Sequence, residues 1–311
     1  MSFASLLHGR KSTKHRLLSS VSLPALLNIL ALCAPEDARA DDECGTPSAG
    51  ATLTCAPGTY SNGITYTDAD GLTLVFDNSG IDVDGRILLS SGTSTSNQPL
   101  KVDVKSIGTV TSSTNFTPAL DILREAGSDG DIVIDIDGSS TSFQTDRITS
   151  PGMRATIEGA DSSGDIIISM NDGAITTTGR TSEAILAENF GQGDTTLSFS
   201  GGTIETSNTY SYGLVGRAGN GDATINITGG QITTSGYSGH GAHAISWGAG
   251  DAVVTMDASS GVAPLVETSG MLAHGLVAEN TGSGNAIARP VGINVRAPGV
   301  KTTSSVTAAR R

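Results

Sequence analysis

Large aromatic side chains are scarce in this sequence: Phe, Tyr and Trp make up 4% of its 311 residues, and Trp occurs once. A single large globular core is closely packed, and this composition would leave it few large side chains to fill it. Glycine, by contrast, occurs 40 times. The balance favours a stacked architecture, because each layer of a stack buries only a thin row of Val, Ile and Ala against the next layer.

Long uninterrupted apolar runs are also missing, and the first forty residues show what this excludes. Residues 8–16 are rich in His, Lys and Arg, residues 17–33 are largely apolar, and a small-x-small motif ends at Ala40. Ser, Pro and Asn interrupt the apolar stretch, which is already short for a membrane anchor. The pattern is typical of a cleavable signal peptide. We therefore predict an exported chain from which residues 1–40 are removed by cleavage between Ala40 and Asp41.

Positive charge is scarce too, with 18 Lys and Arg against 31 Asp and Glu and a formal net charge of −13. Removing residues 1–40 takes away five basic and two acidic residues, so the net charge becomes −16. Such a surface repels a phosphate backbone. Nucleic acid is therefore not an expected partner, and the charge instead keeps a long β surface from pairing with its neighbours.

Only three cysteines are present, and one of them, Cys33, lies in the predicted signal peptide. The other two, Cys44 and Cys55, are eleven residues apart. In an exported protein such a pair favours one disulfide. A zinc site is the alternative, but no His lies between the two cysteines to complete the ligand set.

What the sequence does contain is a repeat. The dipeptide Gly-Asp recurs, with a final Gly-Asn, at spacings of 34, 29, 28, 29 and 34 residues. Each copy is followed by alternating apolar residues, which is the signature of a β-strand. The copies begin at Gly130, Gly164, Gly193, Gly221, Gly250 and Gly284.

Two further apolar stretches complete each repeat. One is a turn glycine followed by a short Ile/Thr strand, as in Gly201–Thr206, and the other resembles Gly213–Gly216. Three short strands per repeat of about 29 residues describe one coil of a three-sided parallel β-helix, in which successive coils pair their backbone edges. A β-propeller is the main rival, but its blades have about 40 to 45 residues and four strands.

The repeats divide the chain into regions. Residues 99–288 are predicted to form the β-helix, with the surplus of the two longer repeats carried as loops on one face. Residues 41–98, with the Cys44 and Cys55 loop and the first strands, are expected to form an N-terminal cap, because terminal repeats are atypical. Residues 289–311 form a basic tail without acidic residues, expected to be a disordered or truncated end.

The signal peptide, the early cysteine pair and the coils of the form G-D-x-x-[ILV]-x-[IFM], G-G-x-I-x-T and G-[LI]-x-A resemble the N-terminal passenger region of bacterial autotransporters, the type V secretion proteins. The resemblance implies a right-handed parallel β-helix displayed at the cell surface or released, often for adhesion to a host or environmental surface protein or glycan. The family's partner for export is an outer-membrane β-barrel translocator. The residues after 285 do not show the repeated tilted strands that such a barrel needs.

The best candidate for catalysis is a row of carboxylates, Asp131, Asp135 and Asp137, which alternates with isoleucines. Some β-helix proteins act on polysaccharides, and paired carboxylates are what such an enzyme needs. A solvated outer strand face explains the same alternation, and no Arg or Lys cluster accompanies the row. The recurring Asp could likewise form a calcium ladder, but the nine-residue spacing of known ladders is absent, and a turn-forming Asp explains it.

Histidines supply the other candidate site. His240 and His274 precede Gly in matching parts of successive repeats, so they are expected to stack, with His243 nearby. Stacked histidines can bind a metal or sense pH, although ordinary turn residues would look the same. We therefore predict no catalytic, cofactor-binding or metal-binding residues, and expect a non-enzymatic adhesin or scaffold, with a polysaccharide-active enzyme as the alternative.

Overall fold

The computed structural model describes residues 44–92, 97–258 and 263–291, together with the backbone of 306–308. These residues form β-strands, turns and irregular segments, and in this part of the chain no helix is long and apolar enough to cross a membrane. All strand pairings are parallel, and every strand pairs with the third strand before or after it along the chain or, at the last step, with the second. The fold is therefore a three-sided parallel β-helix, as the repeat predicts.

Sheet 1 contains the six strands that follow the Gly-Asp and Gly-Asn dipeptides and three earlier strands. Its nine strands, in spatial and chain order, are β1 (Thr52–Thr54), β4 (Thr73–Asp77), β7 (Leu100–Ser106), β10 (Ile132–Ile136), β13 (Ile166–Met170), β16 (Thr195–Phe199), β19 (Ala223–Ile227), β22 (Ala252–Asp257) and β25 (Ala286–Val291).

Sheet 2 is built from the short Ile/Thr strands. Its eight strands are β2 (Gly58–Tyr60), β5 (Ile81–Asp84), β8 (Thr109–Ser112), β11 (Ser142–Thr145), β14 (Ala174–Thr177), β17 (Thr203–Thr206), β20 (Gln231–Thr234) and β23 (Leu265–Thr268).

Sheet 3 is built from the last apolar stretch of each repeat. Its nine strands are β3 (Ile64–Tyr66), β6 (Ile87–Ser90), β9 (Leu120–Arg124), β12 (Met153–Ile157), β15 (Ile185–Asn189), β18 (Leu214–Ala218), β21 (Ala242–Ser246), β24 (Leu276–Asn280) and β26 (Val306–Ala308).

The coils extend beyond the limits expected from the repeat. Strands β1 to β6 already belong to the three sheets, so regular stacking begins at Thr52 and residue 99 is not a boundary in the fold. Their repeat is hard to recognise because these early strands are as short as three residues and lack the Gly-Asp dipeptide. At the other end, β25 and β26 place residues 286–291 and 306–308 in sheets 1 and 3.

Like residues lie above like in the interior, which the strand register shows directly. Ile134, Ile168 and Leu197 are successive partners in sheet 1, and all three are buried. From β12 to β24, sheet 3 presents small interior residues at its central position, with Ala187 paired to Gly216 in the next coil. A Cβ on Gly216 would lie 3.7 Å from Leu197 of sheet 1, so small residues of one sheet face large ones of another.

Three corners join the sheets, and they differ in length. The corner from sheet 1 to sheet 2, corner 1–2, has three residues in the regular coils, as at 171–173. Corner 2–3 has seven residues in each of the six coils from 113–119 to 269–275, and corner 3–1 has four to eight in the same coils. The surplus of the longer repeat after Asp131 is split between corners 1–2 and 3–1, so the expectation of loops on one face is wrong for that repeat. The stack tolerates the extra residues in both corners because each corner lies outside the paired strands.

The aspartate of each Gly-Asp forms a ladder along corner 3–1. The carboxylate of Asp165 accepts a hydrogen bond from the backbone N–H of Asp194 at 2.8 Å, and Asp194 accepts from Asp222 at 2.8 Å. At the last described step, Asp251 accepts from both the backbone and side-chain amides of Asn285. Each aspartate thus ties its own coil to the next, and this explains why the dipeptide recurs.

Replacing Asp194 by Ala should destabilise the fold by about 1 kcal/mol, because the N–H of Asp222 loses its acceptor. Asp194→Asn keeps an oxygen acceptor and removes one charge from a row of like charges, so it should cost nothing. Urea denaturation followed by circular dichroism measures both. Calcium should leave the wild-type midpoint unchanged, and a calcium-dependent rise that Asp194→Asn abolishes would show a calcium ladder instead.

Candidate functional site

The structure joins Cys44 and Cys55 in a disulfide, as predicted. The Sγ atoms of Cys44 and Cys55 are 1.96 Å apart, and the pair closes the loop at the start of the first coil. The hydroxyl of Tyr66, in β3, accepts a hydrogen bond from the N–H of Cys44 and donates one to the carbonyl of Gly45. The predicted cleavage site at Ala40 and Asp41 lies outside the described residues.

Asp135 lies on the outer face of β10, as the alternation with buried isoleucines predicts, whereas Asp131 and Asp137 lie in the corners on either side of that strand. Each carboxylate is engaged by a neighbouring coil. Asp131 accepts the N–H of Asp165, Asp137 accepts the side-chain amide of Asn171, and Asp135 lies 3.2 Å from Nζ of Lys101. Lys101 is a single basic residue at the row and not the Arg or Lys cluster whose absence the sequence shows. The row ties coils together and presents no convergent pair of free carboxylates.

The predicted histidine stack is confirmed and is longer than expected. The rings of His240 and His274 are stacked with centroids 5.1 Å apart, and Tyr212 stacks on the other side of His240 at 5.0 Å. These three residues occupy the same place, the sixth residue of corner 2–3, in successive coils. His243, in β21, meets Tyr212 and His240 edge to face.

Exposed apolar side chains are concentrated around sheet 3. Ten large apolar side chains of the described residues are exposed, and eight of them lie on the two corners that flank this sheet. The exceptions are Ile167 on sheet 1 and Val291 in β25. Those on corner 2–3 are Phe116, Ile148, Tyr210, Tyr237, Met271 and Leu272, and those on corner 3–1 are Phe190 and Trp247.

Corner 2–3 has the same unusual backbone conformation in each of its six seven-residue copies. The fourth residue of all six seven-residue corners has a left-handed backbone, with φ between 53° and 62°, although none is glycine. Such residues are rare, and the conformation persists only where the surroundings impose it. A hydroxyl at the end of the preceding strand closes the corner by donating to the fifth corner residue, as Thr177 does to Ser182 and Thr206 to Ser211. The fourth residues are Phe116, Thr149, Thr181, Tyr210, Ser238 and Leu272.

Ion pairs cover the outer face of sheet 3. Arg154 in β12 donates two hydrogen bonds to Asp121 in β9, at 2.9 and 2.8 Å, and Arg86 lies 3.6 Å from the same carboxylate. Two coils further on, Arg217 in β18 pairs with Glu188 in β15. Cations from three coils thus balance carboxylates on this face, whereas the ladder on corner 3–1 consists of acidic residues and one Asn.

Burial changes the ionisation of several groups here. Glu183, the sixth residue of its corner, is 5% exposed, and desolvation raises the pKa of its carboxyl. Desolvation, followed by repulsion from His243 and His274, lowers the pKa of His240 to about 3. Desolvation and the charge of Arg217 lower the pKa of His243 to about 4. Both histidines are therefore neutral near pH 7.

Two of these side chains have buried polar atoms without hydrogen-bond partners among the described residues. They are Nε of Arg217 and both ring nitrogens of His243. Nε2 of His243 lies 3.4 Å from Oε2 of Glu279, but the contact does not have the geometry of a hydrogen bond. Buried polar groups are nearly always paired, so these three atoms are places where the surrounding side chains leave hydrogen-bonding capacity unmet.

Corner 3–1 carries the aromatic pair on the other side of the sheet. Phe190 and Trp247 are stacked with ring centroids 5.7 Å apart and an angle of 17° between their planes, and they are 42% and 39% exposed. They belong to coils that are not adjacent. The intervening coil has Gly219 at the equivalent position, which lets the two rings meet across it.

Most of this site is not predicted from the sequence. The third apolar stretch of each repeat predicts which residues face the interior. It does not predict which outward-facing residues of neighbouring coils lie side by side, because that depends on the strand register. The seven-residue length of corner 2–3 is a usable signal, because it aligns Glu183, Tyr212, His240 and His274 at one position.

Histidine, cysteine, aspartate and glutamate form no group of three or more that could hold a metal ion within the described ranges. No protein-family model, no curated protein and no solved structure matches this chain. The function must therefore be argued from the geometry of the site itself.

Proposed function

We propose that this chain is a non-enzymatic binding solenoid that uses the outer face and flanking corners of sheet 3, here called the sheet 3 surface, to hold a ligand. The observation that carries the proposal is the one-sided distribution of exposed apolar residues, eight of ten beside one sheet. Scattered apolar residues need no explanation, but exposed apolar residues that gather in rows, as six do along corner 2–3 and two do along corner 3–1, are typical of an interaction site. The left-handed backbone at the fourth residue of corner 2–3 supports a binding role, since such strain is found where a side chain must be presented in a fixed position.

The repeat suits a binding surface. Successive coils are about 4.8 Å apart, so the six coils with seven-residue corners extend the surface for about 24 Å. Neighbouring coils present different side chains at equivalent positions, for example Tyr210 and Ser238. Such a surface can contact an extended ligand through several weak interactions at once.

The place of action follows from the sequence pattern of the first forty residues and from the disulfide. We propose export through the inner membrane and display at the cell surface or release outside it, in the manner of an autotransporter passenger joined to an outer-membrane translocator. A disulfide persists in an oxidising compartment, which supports export.

A polysaccharide-active enzyme is the second candidate, and one observation favours it. Glu183 is buried with a raised pKa, and the neighbouring carboxylate of Glu188 is held by Arg217. A carboxyl group with a raised pKa beside a second carboxylate resembles the pair that glycoside hydrolysis uses. On sheet 1, by contrast, each carboxylate of the Asp131 row is engaged by a neighbouring coil, so Glu183 replaces that row as the candidate acid.

The proposal is tested with the full chain, purified from a host that exports it, immobilised on beads and offered a panel of oligosaccharides and extracellular proteins. The wild type should retain at least one panel member. A variant with Tyr210→Ser, Tyr237→Ser and Trp247→Ser should retain it at least tenfold less. Ile167→Ser is the matched control, because it removes an equally exposed apolar side chain from sheet 1.

Two outcomes would overturn the proposal. One is equal retention by the triple variant and the wild type, which would remove the sheet 3 surface from the interaction. The other is the release of shortened glycan or peptide from any panel member, which would favour the enzyme. In that case Glu183→Gln should abolish the release.

A further inference from the structure

The outer face of sheet 1 differs from those of the other two sheets. The second and fourth residues of β13, β16, β19 and β22 point outward, and none of these eight side chains is charged. Sheet 2 carries Glu205 and Glu267 at its outward positions, and ion pairs cover sheet 3. An uncharged face is an exception in a chain with a net charge of −13. The outer face of these four strands is here called the sheet 1 face.

The second residues of the strands form one straight column. From β10 to β25 the strands of sheet 1 pair residue for residue without a shift, whereas β4 and β7 pair with one. All six residues of the column are β-branched, and such side chains have few rotamers. The column consists of Val133, Ile167, Thr196, Thr224, Val253 and Ile287.

The fourth residues form a second column, of short polar side chains, beside the first. No hydrogen bond joins these side chains, or the hydroxyl groups of Thr196 and Thr224, to another described residue, and none of their atoms is among those buried without a partner. They therefore face solvent, where a hydroxyl group both donates and accepts, as water does. The second column consists of Ser169, Ser198, Asn226 and Thr255.

Side-chain ladders run along both edges of the sheet 1 face. On corner 3–1, Asp194 and the equivalent aspartates each accept a backbone N–H of the next coil. On corner 1–2, the side chain of Asn171 donates to Asp137 and accepts from Ser200. Sheets of many strands that stay flat are typically stabilised by such ladders. The two columns are therefore held as a regular, rigid array.

This array has two characteristic spacings. Neighbouring coils are about 4.8 Å apart, and alternate residues along one strand are about 6.6 Å apart. Water molecules at the surface of an ice crystal repeat at distances close to both. Stiff side chains also lose little conformational entropy when they are immobilised against a surface. The sheet 1 face thus presents methyl and hydroxyl groups at the spacings of an ordered water lattice.

Other occupants suit the sheet 1 face less well. Its projected area is roughly 300 Å², from four strands of about five residues each. A specific protein–protein interface, including one with a second copy of the chain, buries about 800 Å² on each partner. Aromatic and Arg side chains dominate the energy of such interfaces, and aromatic rings also pack on the faces of sugars. The eight outward residues of the sheet 1 face include neither type.

We propose that the sheet 1 face binds ice. The β-branched column lies against the crystal surface, and the polar groups of the second column, with the threonine hydroxyls, take the places of water molecules in hydrogen bonds with the lattice. Because ice carries no net charge, a face without charged side chains meets it at no desolvation cost for an ion. This inference goes beyond the proposed function, since it concerns a different face and a different ligand.

The test is whether growing ice takes up the protein. The full chain is purified from a host that exports it, and a ball of ice is grown slowly in its dilute solution. The protein concentration in the ice is then compared with that in the remaining liquid, and serum albumin serves as a protein that growing ice excludes. The wild type should enter the ice at least tenfold more than albumin does.

Long charged side chains in the centre of the sheet 1 face should hold the ice away. The pair Thr196→Lys and Thr224→Lys should reduce uptake at least fivefold, with an unchanged circular dichroism spectrum. The pair Thr176→Lys and Thr233→Lys is the matched control, because it makes the same change on the outer face of sheet 2. It should enter the ice like the wild type.

A second pair keeps the test valid if the first disturbs the fold. Ser198→Lys and Asn226→Lys change the second column in the same two coils and leave the β-branched column intact. This pair should also reduce uptake at least fivefold.

Three outcomes would overturn the inference. The first is exclusion of the wild type from ice to the same extent as albumin, and the second is an equal loss of uptake in the sheet 1 and sheet 2 pairs. The third is retention by microcrystalline cellulose, but not by ice, that depends on Thr196 and Thr224. That result would make a crystalline polysaccharide the ligand of this face.

The same variants keep this inference apart from the proposed function. The variant with Tyr210→Ser, Tyr237→Ser and Trp247→Ser should enter ice like the wild type. The pair Thr196→Lys and Thr224→Lys should be retained by the beads of the binding panel like the wild type. Loss of ice uptake in the triple variant would move ice binding to the sheet 3 surface and overturn its assignment to sheet 1.

Discussion

Phe199→Ala is expected to destabilise the β-helix by about 3 to 5 kcal/mol, the usual cost of removing a fully buried phenylalanine. Phe199 ends β16 on the interior side of sheet 1 and is 1% exposed. Its ring lies against the turn of the next coil, where a Cβ on Gly230 would approach it to 2.6 Å. The cavity would form between two coils in the middle of the stack, which cannot close it without breaking strand pairs.

Urea denaturation followed by circular dichroism measures the loss as a lower midpoint. Two control variants are compared with the loss of stability in Phe199→Ala. Ile167→Ala removes an outward side chain from the neighbouring strand and should cost well under half as much. Gly216→Ala adds a methyl group to the same interior at ordinary contact distances of 3.6 to 3.7 Å, so it should be tolerated. A loss of less than about 1.5 kcal/mol for Phe199→Ala would mean that the coils repack independently of their interior ladder.

The interior of this fold follows from the sequence because alternation and repetition reinforce each other. Ile166 and Ile168 alternate with polar or exposed residues, and the same pattern recurs 29 residues later at Thr195 and Leu197, which are their actual partners. One strand pair therefore predicts the next. Prediction is poorest before residue 99, where β1, β2 and β3 have only three residues each and the coils lack the Gly-Asp dipeptide.

The candidate site is less predictable because its residues share a position and not a type. Glu183, Tyr212 and His240 are equivalent in three successive coils, yet they are acidic, aromatic and basic. Only the pair of His240 and His274 repeats the residue type, and this is the part that the sequence predicts. The contact of Phe190 with Trp247 requires Gly219 between them, a relation that becomes visible only when the coils are stacked.

The second large effect is expected from pH, because His240 and His243 are held neutral in the folded chain. Their pKa values are lowered to about 3 and about 4, against a value of about 6.5 in the unfolded chain. Between these values the unfolded state binds more protons than the folded state, so stability is lost as pH falls. Two protons correspond to a slope of about 2.7 kcal/mol per pH unit, and we expect a loss of about 3 kcal/mol between pH 6 and pH 4.5.

Urea midpoints measured across this range should fall steeply for the wild type and for Ile167→Ser. In the double variant His240→Gln and His243→Gln the loss should shrink to less than about 1 kcal/mol, because the replaced groups do not titrate. Glu183 and Asp165 oppose the histidines, since a carboxyl whose pKa is raised by burial favours the folded state as pH falls. Their effect is common to the wild type and the double variant, so the difference between the two slopes over the interval from pH 6 to pH 4.5 isolates the histidines. A double variant with the wild-type slope in that interval would show that other groups are responsible, and the ring stack of Tyr212, His240 and His274 would then not depend on neutral histidines.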